Sequence, residues 1–283
     1  MGQIRNLRPK NLCGKAAARS NKPFSLTLPH MESNKKKDIF QPLTSGTFRF
    51  SCHREVPCFT RCCAKLRLVL TPYDIVRLRK RLGITSGEFL EQYTDTLFRE
   101  HPRFPMVKLK MLDDEGQRCP FVTKEGCTIY EDRPGACRLY PIGRASMLVS
   151  EKQDPKEQYF VIREDHCEGF KEEKVWTIDD WVSHEGLRFY MEMNDRWLAI
   201  LNSPKTLGPE EYLAKKHKMF FMASYDIDRF RQFIFKSRFF SLFEIPPEKR
   251  QELASTDESL LLFAYDWLKF SLFGEKTLTP RTD

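Results

Sequence analysis

The sequence predicts an α+β protein in which a small, cysteine-rich α+β unit precedes a mainly α-helical C-terminal region. Two observations predict this fold class: short apolar segments alternate with turn residues up to about residue 175, and apolar residues recur at helical spacing beyond it. In addition, the last of the nine cysteines is Cys167. We therefore expect three parts, which are a basic leader over 1–40, a cysteine-rich domain over 41–175 and a helical region over 176–283.

The leader carries nearly all of the net charge. It holds nine Lys or Arg residues against two acidic residues, so the rest of the chain is close to neutral although the whole chain is formally +8. A basic, polar stretch without hydrophobic periodicity is typical of a disordered segment. Because the excess charge is confined to this leader, the sequence does not favour nucleic-acid binding by the folded part.

Apolar runs in this chain are short. None approaches the roughly 20 residues that a membrane helix needs. The stretch after Arg8 is basic and polar where a secretory signal would become apolar. We therefore expect a cytoplasmic protein without membrane association. The chain is also long enough to bury a core without disulfides.

Eight of the nine cysteines are concentrated in one region, and Cys13 lies apart in the leader. In a reducing compartment, such a group is typical of metal binding or catalysis rather than of disulfides. Thiolates are soft ligands that hold zinc or iron–sulfur clusters, often on loops. We therefore expect residues 41–175 to be a metal-binding domain whose loops carry the thiols. The candidate metal ligands are Cys52, Cys58, Cys62, Cys63, Cys119, Cys127, Cys137 and Cys167.

Two features favour an iron–sulfur cluster as the cofactor, with zinc as the alternative. Eight thiols are more than one four-ligand site needs, and the neighbouring Arg61, Arg133 and Arg138 could balance the charge of thiolates. The side chains of the adjacent Cys62 and Cys63 diverge along the chain. One of them could therefore ligate while the other serves a second site or redox chemistry.

Two histidines, His53 and His166, each adjoin a clustered cysteine. Imidazole is a common zinc ligand, so each could add a nitrogen donor. Each could instead share a loop with a cysteine without binding, and this second interpretation is favoured.

The sequence around the thiols resembles that of a known family. The stretches that carry the resemblance are Cys58-Phe-Thr-Arg-Cys62-Cys63, Cys119-Pro-Phe, Gly126-Cys127-Thr-Ile-Tyr130-Glu131-Asp132-Arg133-Pro134, Cys137-Arg138-Leu-Tyr140-Pro141 and Cys167-Glu168-Gly169. They are similar to the YkgJ-like cysteine-cluster family. This resemblance implies a zinc- or iron-chelating domain that includes every clustered cysteine.

A more distant resemblance concerns the three residues between Cys58 and Cys62, because the commoner opening of the YkgJ-like family is tighter. This spacing resembles that of the FliB-type flagellin lysine methylases, which are linked to an iron–sulfur cluster. The resemblance implies a protein-modifying activity.

The elements of the cysteine-rich region can be predicted from caps and periodicity. Thr71, with Pro72 and Asp74 after it, predicts the start of a helix that runs to Gly83. A second helix is predicted from Ser86, with a stripe of apolar residues that reaches Leu97.

Strands are predicted where apolar and polar residues alternate. Residues 105–112 alternate in this way, which predicts a half-buried strand. Two further apolar segments, 147–149 and 159–162, are separated by a polar stretch that contains Pro155. They predict a hairpin.

The C-terminal region is predicted to be helical from a cap at Thr177 onward. Breaks are expected at Ser203-Pro204 and Pro246-Pro247, which leave helical segments of roughly 210–240 and 248–273. In the first segment, residues 229–240 interleave basic and aromatic side chains, as platforms for single-stranded nucleic acid do. An amphipathic helix that buries its phenylalanines is the favoured interpretation.

Three classes of function remain open. The first is a protein that holds an iron–sulfur cluster or zinc and has a redox role. The second is an enzyme similar to protein lysine N-methyltransferases, and the third is a zinc-stabilised interaction module that recruits a protein partner. Phosphate-binding glycine loops, the serine nucleophile elbow and the H-E-x-x-H zinc motif do not occur in the sequence, so ordinary nucleotide or hydrolase chemistry is not expected.

Overall fold

The computed structural model describes residues 39–147 and 156–281. The predicted α+β class is confirmed: small sheets and short helices make up the cysteine-rich region, and helices make up the C-terminal region. Most of the predicted leader, Cys13 and the turn of the predicted hairpin lie outside the described residues.

The strands of the described part are β1 (Phe40–Pro42), β2 (Thr47–Arg49), β3 (Val69–Leu70), β4 (Thr94–Leu97), β5 (Met106–Leu109), β6 (Val122–Thr123), β7 (Gly126–Cys127), β8 (Ile142–Met147), β9 (Lys156–Ile162) and β10 (Val175–Thr177). The helices are α1 (Pro72–Leu82), α2 (Ser86–Tyr93), α3 (Gly135–Leu139), α4 (Ile178–His184), α5 (Arg188–Leu201), α6 (Leu213–Tyr225), α7 (Ile227–Lys236), α8 (Phe239–Leu242), α9 (Pro247–Ser255) and α10 (Asp257–Phe273). Single 3₁₀ turns occur at Tyr130–Asp132, Gly169–Lys171 and Glu210–Tyr212.

The first two helices begin where the sequence predicts. The Thr71 hydroxyl accepts a hydrogen bond from the Asp74 N–H, and the Asp74 carboxylate accepts one from the Thr71 N–H. This capping box starts α1, which ends at Gly83 in the left-handed conformation. Thr85 and Glu88 form the same arrangement at the start of α2.

The predicted end of α2 is wrong. The helix stops at Tyr93, and Thr94–Leu97 forms strand β4 instead of the last helical turn. This segment pairs antiparallel with β5, from Thr94 opposite Leu109 to Leu97 opposite Met106. The neighbouring strand therefore satisfies its backbone hydrogen bonds, and a segment with two threonines suits a strand better than a helix.

The predicted strand over 105–112 is confirmed as β5, which lies between β3 and β4. Its Val107 and Leu109 are buried, as the alternation requires. The predicted hairpin is also confirmed, because β8 pairs antiparallel with β9. Its first strand begins earlier than predicted, at Ile142.

The C-terminal helices follow the predicted caps and breaks in part. Thr177 caps α4, α5 ends before Ser203, and α9 begins at Pro247. The single helical segments predicted over 210–240 and 248–273 are both wrong, because Asp226 ends α6 and caps α7, and Thr256 ends α9 and caps α10. The Asp226 carboxylate accepts a hydrogen bond from the Arg229 N–H, so a new helix starts there.

In α7, aromatic side chains pack in the hydrophobic core and a basic side chain forms a hydrogen bond to another helix. Phe230 and Ile234 are fully buried, and the Phe230 ring lies 5.5 Å from that of Trp267. Arg231 donates to the Leu253 carbonyl oxygen at 2.8 Å. The favoured interpretation, an amphipathic helix, agrees with this packing. The expectation that nucleic acid is not a partner stays a prediction.

One hydrophobic core extends through the described residues. It includes Leu70 and Val107 of the cysteine-rich region together with Phe220 and Leu260 of the helical region. The domain boundaries stay predictions. Within 39–147 and 156–281, no helix is both long and apolar enough to cross a membrane.

Candidate metal centre

The thiols lie on five short pieces of chain. Cys52, Cys58, Cys62, Cys63, Cys119 and Cys167 lie in loops or turns, as predicted. The prediction is wrong for Cys127, which ends β7, and for Cys137, which lies within α3. Cys127 follows Gly126 in a short hairpin. Cys137 lies in a short helix that follows Pro134.

Two backbone contacts bring the end of the cysteine-rich region onto its beginning. The Ser51 N–H donates to the Gly169 carbonyl oxygen at 3.1 Å, which places Cys52 beside the segment that contains Cys167. The Glu168 N–H donates to the Cys58 Sγ at 3.1 Å. The segment that contains Cys167 is therefore held against the one that contains Cys52 and Cys58, although more than 100 residues separate the two segments in the sequence.

Further contacts join the segment that contains Cys119 and Cys127 to Cys63. The Cys119 N–H donates to the Cys63 carbonyl oxygen at 2.8 Å. The Val122 N–H donates to the Cys119 carbonyl oxygen at 3.2 Å, and Val122 is paired with Cys127 across the β6–β7 hairpin. Cys63, Cys119 and Cys127 thus lie on neighbouring segments of the chain.

Cys137 is positioned by the cap of α1. Asp74 is 1% exposed, and its Oδ1 accepts a hydrogen bond from the Gly135 N–H at 2.8 Å, two residues before Cys137. Burial raises the pKa of Asp74, whereas the N–H groups of Gly135 and Thr71 lower it. One carboxylate therefore ties the start of α1 to the start of α3.

The pKa values of the Cys52 and Cys62 thiols are raised. Cys52 is an exposed residue, and desolvation is the largest of the causes that raise its pKa to about 11. The nearby thiols of Cys62, Cys58 and Cys167 raise this pKa further. The pKa of Cys62 is raised first by a hydrogen bond with the Cys63 thiol and then by burial. The thiols are therefore close enough to disfavour simultaneous ionisation.

The pKa values of the Cys119, Cys127 and Cys137 thiols are also raised. Burial raises the pKa of Cys137 to about 12, and the thiols of Cys119 and Cys127 and the Asp74 carboxylate raise it further. Burial also raises the pKa of Cys119 and of Cys127. The charge of Arg133 lowers the pKa of Cys127, although its guanidinium is also paired with Glu185, and its predicted charge-balancing role stays a prediction.

The other two predicted charge-balancing arginines differ from Arg133. Arg61 is exposed. Arg138 is 9% exposed and donates to the carbonyl oxygens of Glu185, Glu131 and Arg133, so it ties loops together instead of facing the thiols.

Three cysteines share a backbone feature that the sequence reasoning missed. The N–H of the residue two positions after the cysteine lowers the thiol pKa, while burial raises it, at Cys119, Cys127 and Cys167. These N–H groups belong to Phe121, Ile129 and Gly169. Backbone N–H groups that face sulfur stabilise thiolates and orient metal ligands. The repeated spacing of two residues is the signal that could have revealed it.

Two buried polar atoms near the thiols lack an ordinary hydrogen bond in the described structure, the Tyr140 hydroxyl and the His166 Nε2. Tyr140 nevertheless lowers the pKa of the Cys167 thiol, so its hydroxyl faces that sulfur. The His166 Nε2 lies 3.7 Å from a Glu164 carboxylate oxygen. The other candidate histidine is paired, because His53 Nε2 lies 3.2 Å from the Glu172 Oε2.

The donor set fits a thiophilic metal. Eight thiols lie on segments that contacts across the cysteine-rich region bring together, backbone N–H groups lower the pKa of three of them, and the Glu168 N–H donates to the Sγ of a fourth, Cys58. Among residues 39–147 and 156–281, no three His, Cys, Asp or Glu side chains stand close enough together to hold an ion as they are. The assignment of the eight cysteines as ligands therefore stays a prediction.

Residues 51–168 match the CxxCxxCC family model, which is described as a "Putative zinc- or iron-chelating domain". The matched residues include all eight clustered cysteines. Neither a curated protein nor a solved structure matches the chain. The match supports a metal-binding role with zinc or iron. This match over residues 51–168 agrees with the YkgJ-like resemblance of the cysteine motifs.

Proposed function

We propose that this protein binds an iron–sulfur cluster through its clustered cysteines and uses it in redox chemistry. The observation that carries the proposal is that contacts between distant segments bring the cysteine-bearing segments together, with a backbone N–H that donates to the Cys58 Sγ and others that lower the pKa of Cys119, Cys127 and Cys167. Iron–sulfur clusters are held by four cysteine thiolates, and hydrogen bonds to the sulfurs tune their reduction potentials. When bound, such a cluster would supply one-electron transfer.

The chain's own residues would do three things for the cluster. The clustered thiols would lose their protons and ligate the metal. The N–H groups of Phe121, Ile129 and Gly169 would offset the negative charge of the sulfurs. The charge of Arg133, which lowers the pKa of Cys127, would offset more of it.

The test is anaerobic purification of the full chain, followed by measurement of iron, zinc and acid-labile sulfide per chain. We expect iron with a similar amount of sulfide. Zinc without iron or sulfide would overturn the cluster and support the zinc-stabilised interaction module. A chain purified and reconstituted without retaining any metal would overturn metal binding itself. A Cys13→Ser variant is the matched control, and its metal content should be unchanged.

The other functional expectations stay predictions. The resemblance to lysine methylases rests on the three residues between Cys58 and Cys62. A protein partner or substrate and the cytoplasmic location also rest on sequence features alone.

A further inference from the structure

Arg138 directly follows Cys137 in α3, and it is 9% exposed. Its guanidinium donates from Nε to the Arg133 carbonyl oxygen at 3.1 Å and from Nη2 to the Glu131 carbonyl oxygen. Both acceptors belong to the piece of chain between Cys127 and Cys137. One buried cation therefore holds the backbone of this piece of chain against the helix that ends it.

The third acceptor of Arg138 comes from the helical region. Its Nη1 donates to the carbonyl oxygen of Glu185, the residue that follows α4, at 2.7 Å. The carboxylate of the same Glu185 pairs with the Arg133 guanidinium. Glu185 therefore contacts two arginines of the cysteine-rich region, one through its backbone and one through its side chain.

Helix α5 makes a further contact with Arg138. The Arg138 Cζ lies 4.8 Å from the centre of the Tyr190 ring, within the range of cation–π interactions. Gly135, at the start of α3, lies so close to Tyr190 that an added Cβ would stand 3.3 Å from the ring. Gly186 turns the chain between α4 and α5 at a φ of 63°, in the left-handed region. Residues 185–190, which we call the α4–α5 corner, therefore pack directly on α3.

The α4–α5 corner lies outside residues 51–168, which match the family model and contain all the clustered cysteines. Arg138 joins the two parts of the chain, because its planar guanidinium reaches acceptors in both. The ammonium group of a lysine, on its flexible stem, does not reproduce this fixed fork of donors. Groups that orient metal ligands without touching the metal typically change metal affinity 10–100-fold when they are mutated.

We infer that Arg138 is a positioning residue for metal binding, and that the α4–α5 corner takes part by fixing its guanidinium. Arg138 acts on the backbone that carries Cys127 and Cys137, and it does not itself contact the metal. This inference rests on the proposed metal binding. It assigns a role in that binding to residues beyond the part of the chain that matches the family model.

The first test compares Arg138→Lys with Arg144→Lys in the full-length chain. The Arg144 side chain is 6% exposed and pairs with Glu157 and with Asp195 of α5, so its replacement also removes a buried contact to the helical region. Anaerobic titration with Co²⁺, followed by the absorption of thiolate-to-cobalt charge transfer, gives the affinity of each chain. Urea unfolding gives the stability of each chain.

Arg138→Lys should bind Co²⁺ about 10–100-fold more weakly than the unmodified chain. The d–d absorption bands of the bound Co²⁺, which report the geometry of its ligands, should shift as well. Arg144→Lys should bind as the unmodified chain does, even where its loss of stability is as large. Equal Co²⁺ affinities of the two variants would overturn the positioning role and leave metal binding intact. Absence of Co²⁺ binding by the unmodified chain would overturn the proposed function and this inference with it.

A milder matched pair decides the question if Arg138→Lys does not fold. Gly186→Ala and Gly83→Ala place alanine at nearly the same left-handed φ, 63° and 67°, so the backbone strain is similar. Only Gly186 adjoins the Glu185 carbonyl group that Arg138 contacts, whereas an alanine at Gly83 meets nothing within 4 Å. Gly186→Ala should therefore lower the Co²⁺ affinity and Gly83→Ala should not. The same affinity in both variants would contradict the role of the corner.

Discussion

The Glu168 N–H donates a hydrogen bond to the Cys58 Sγ over 3.1 Å and so connects two residues 110 positions apart. The next residue, Gly169, lies so close to the opening of the cysteine-rich region that a Cβ there would stand 2.6 Å from the Ser51 carbonyl oxygen and 2.7 Å from the Phe50 ring. A side chain at position 169 would therefore displace the segment that makes the sulfur contact.

Gly169→Ala should destabilise the fold and lower its metal content. The new methyl group would push the segment that contains Cys167 away from Ser51, and overpacking of this kind costs about 1–3 kcal/mol. The free energy of unfolding in urea and the metal content per chain are the measurements.

A matched control for Gly169 is Gly87→Ala in α2, where nothing lies within 4 Å of the added Cβ. It should leave the metal content unchanged and stabilise the chain by about 0.5–1 kcal/mol, because alanine favours a helix over glycine. If both variants retain full stability and metal, the close approach at Gly169 has no role.

Asp74→Asn should loosen the connection between α1 and α3. The carboxylate accepts from both the Gly135 N–H and the Thr71 N–H at 2.8 Å, and an amide can accept only one of these bonds while its NH₂ group faces the other donor. We expect a loss of about 1–3 kcal/mol. Urea unfolding measures this loss of stability. Faster reaction of Cys137 with a thiol reagent would show that the connection to α3 has loosened.

Glu88→Gln is the corresponding change in the capping box of α2. Glu88 is exposed and bonds only within its own cap. The glutamine side chain can still accept from the Thr85 N–H, so the change should be within about 0.5 kcal/mol of zero. Equal effects of the two substitutions would contradict a special role for the buried Asp74.

Glu185→Gln should be strongly destabilising, because Glu185 and Arg133 form an ion pair in which the side chains are 6% and 11% exposed. Removal of one charge leaves the other buried without a partner, which costs about 3–5 kcal/mol. Glu192→Gln removes the exposed pair with Arg196 and should cost no more than about 0.5 kcal/mol. Chemical denaturation of both variants gives the comparison, and a cost at Glu185 no larger than that at Glu192 would contradict the buried pair.

A chain that begins at Met31 should keep the metal content of the full chain. The residues removed are basic and contain only Cys13 among the cysteines, which is outside the predicted ligand set. Metal analysis and gel filtration of the shortened chain provide the test. Loss of metal or of solubility would show that the leader has a structural role.

Several features of this protein follow from the sequence alone, because they depend on neighbours a few residues apart. The caps at Thr71 and Thr85 are contacts across three residues, and both helices start where those residues predict. The strand around Val107 follows from a two-residue alternation. The cysteine motifs likewise lie within residues 51–168, the part of the chain that matches the family model.

Other features were decided only by the tertiary structure, because they depend on contacts between distant segments. Leu97 lies in a strand because β5 offers it a partner, although its own neighbours suit a helix. The approach of Cys119 to Cys63 follows from a backbone hydrogen bond between segments more than 50 residues apart, which no local pattern encodes. The importance of Gly169 depends on the approach of Ser51, more than 100 residues earlier in the chain. Short stretches of sequence determine local hydrogen bonds and periodicity, whereas the positions of the thiols depend on how the whole core packs.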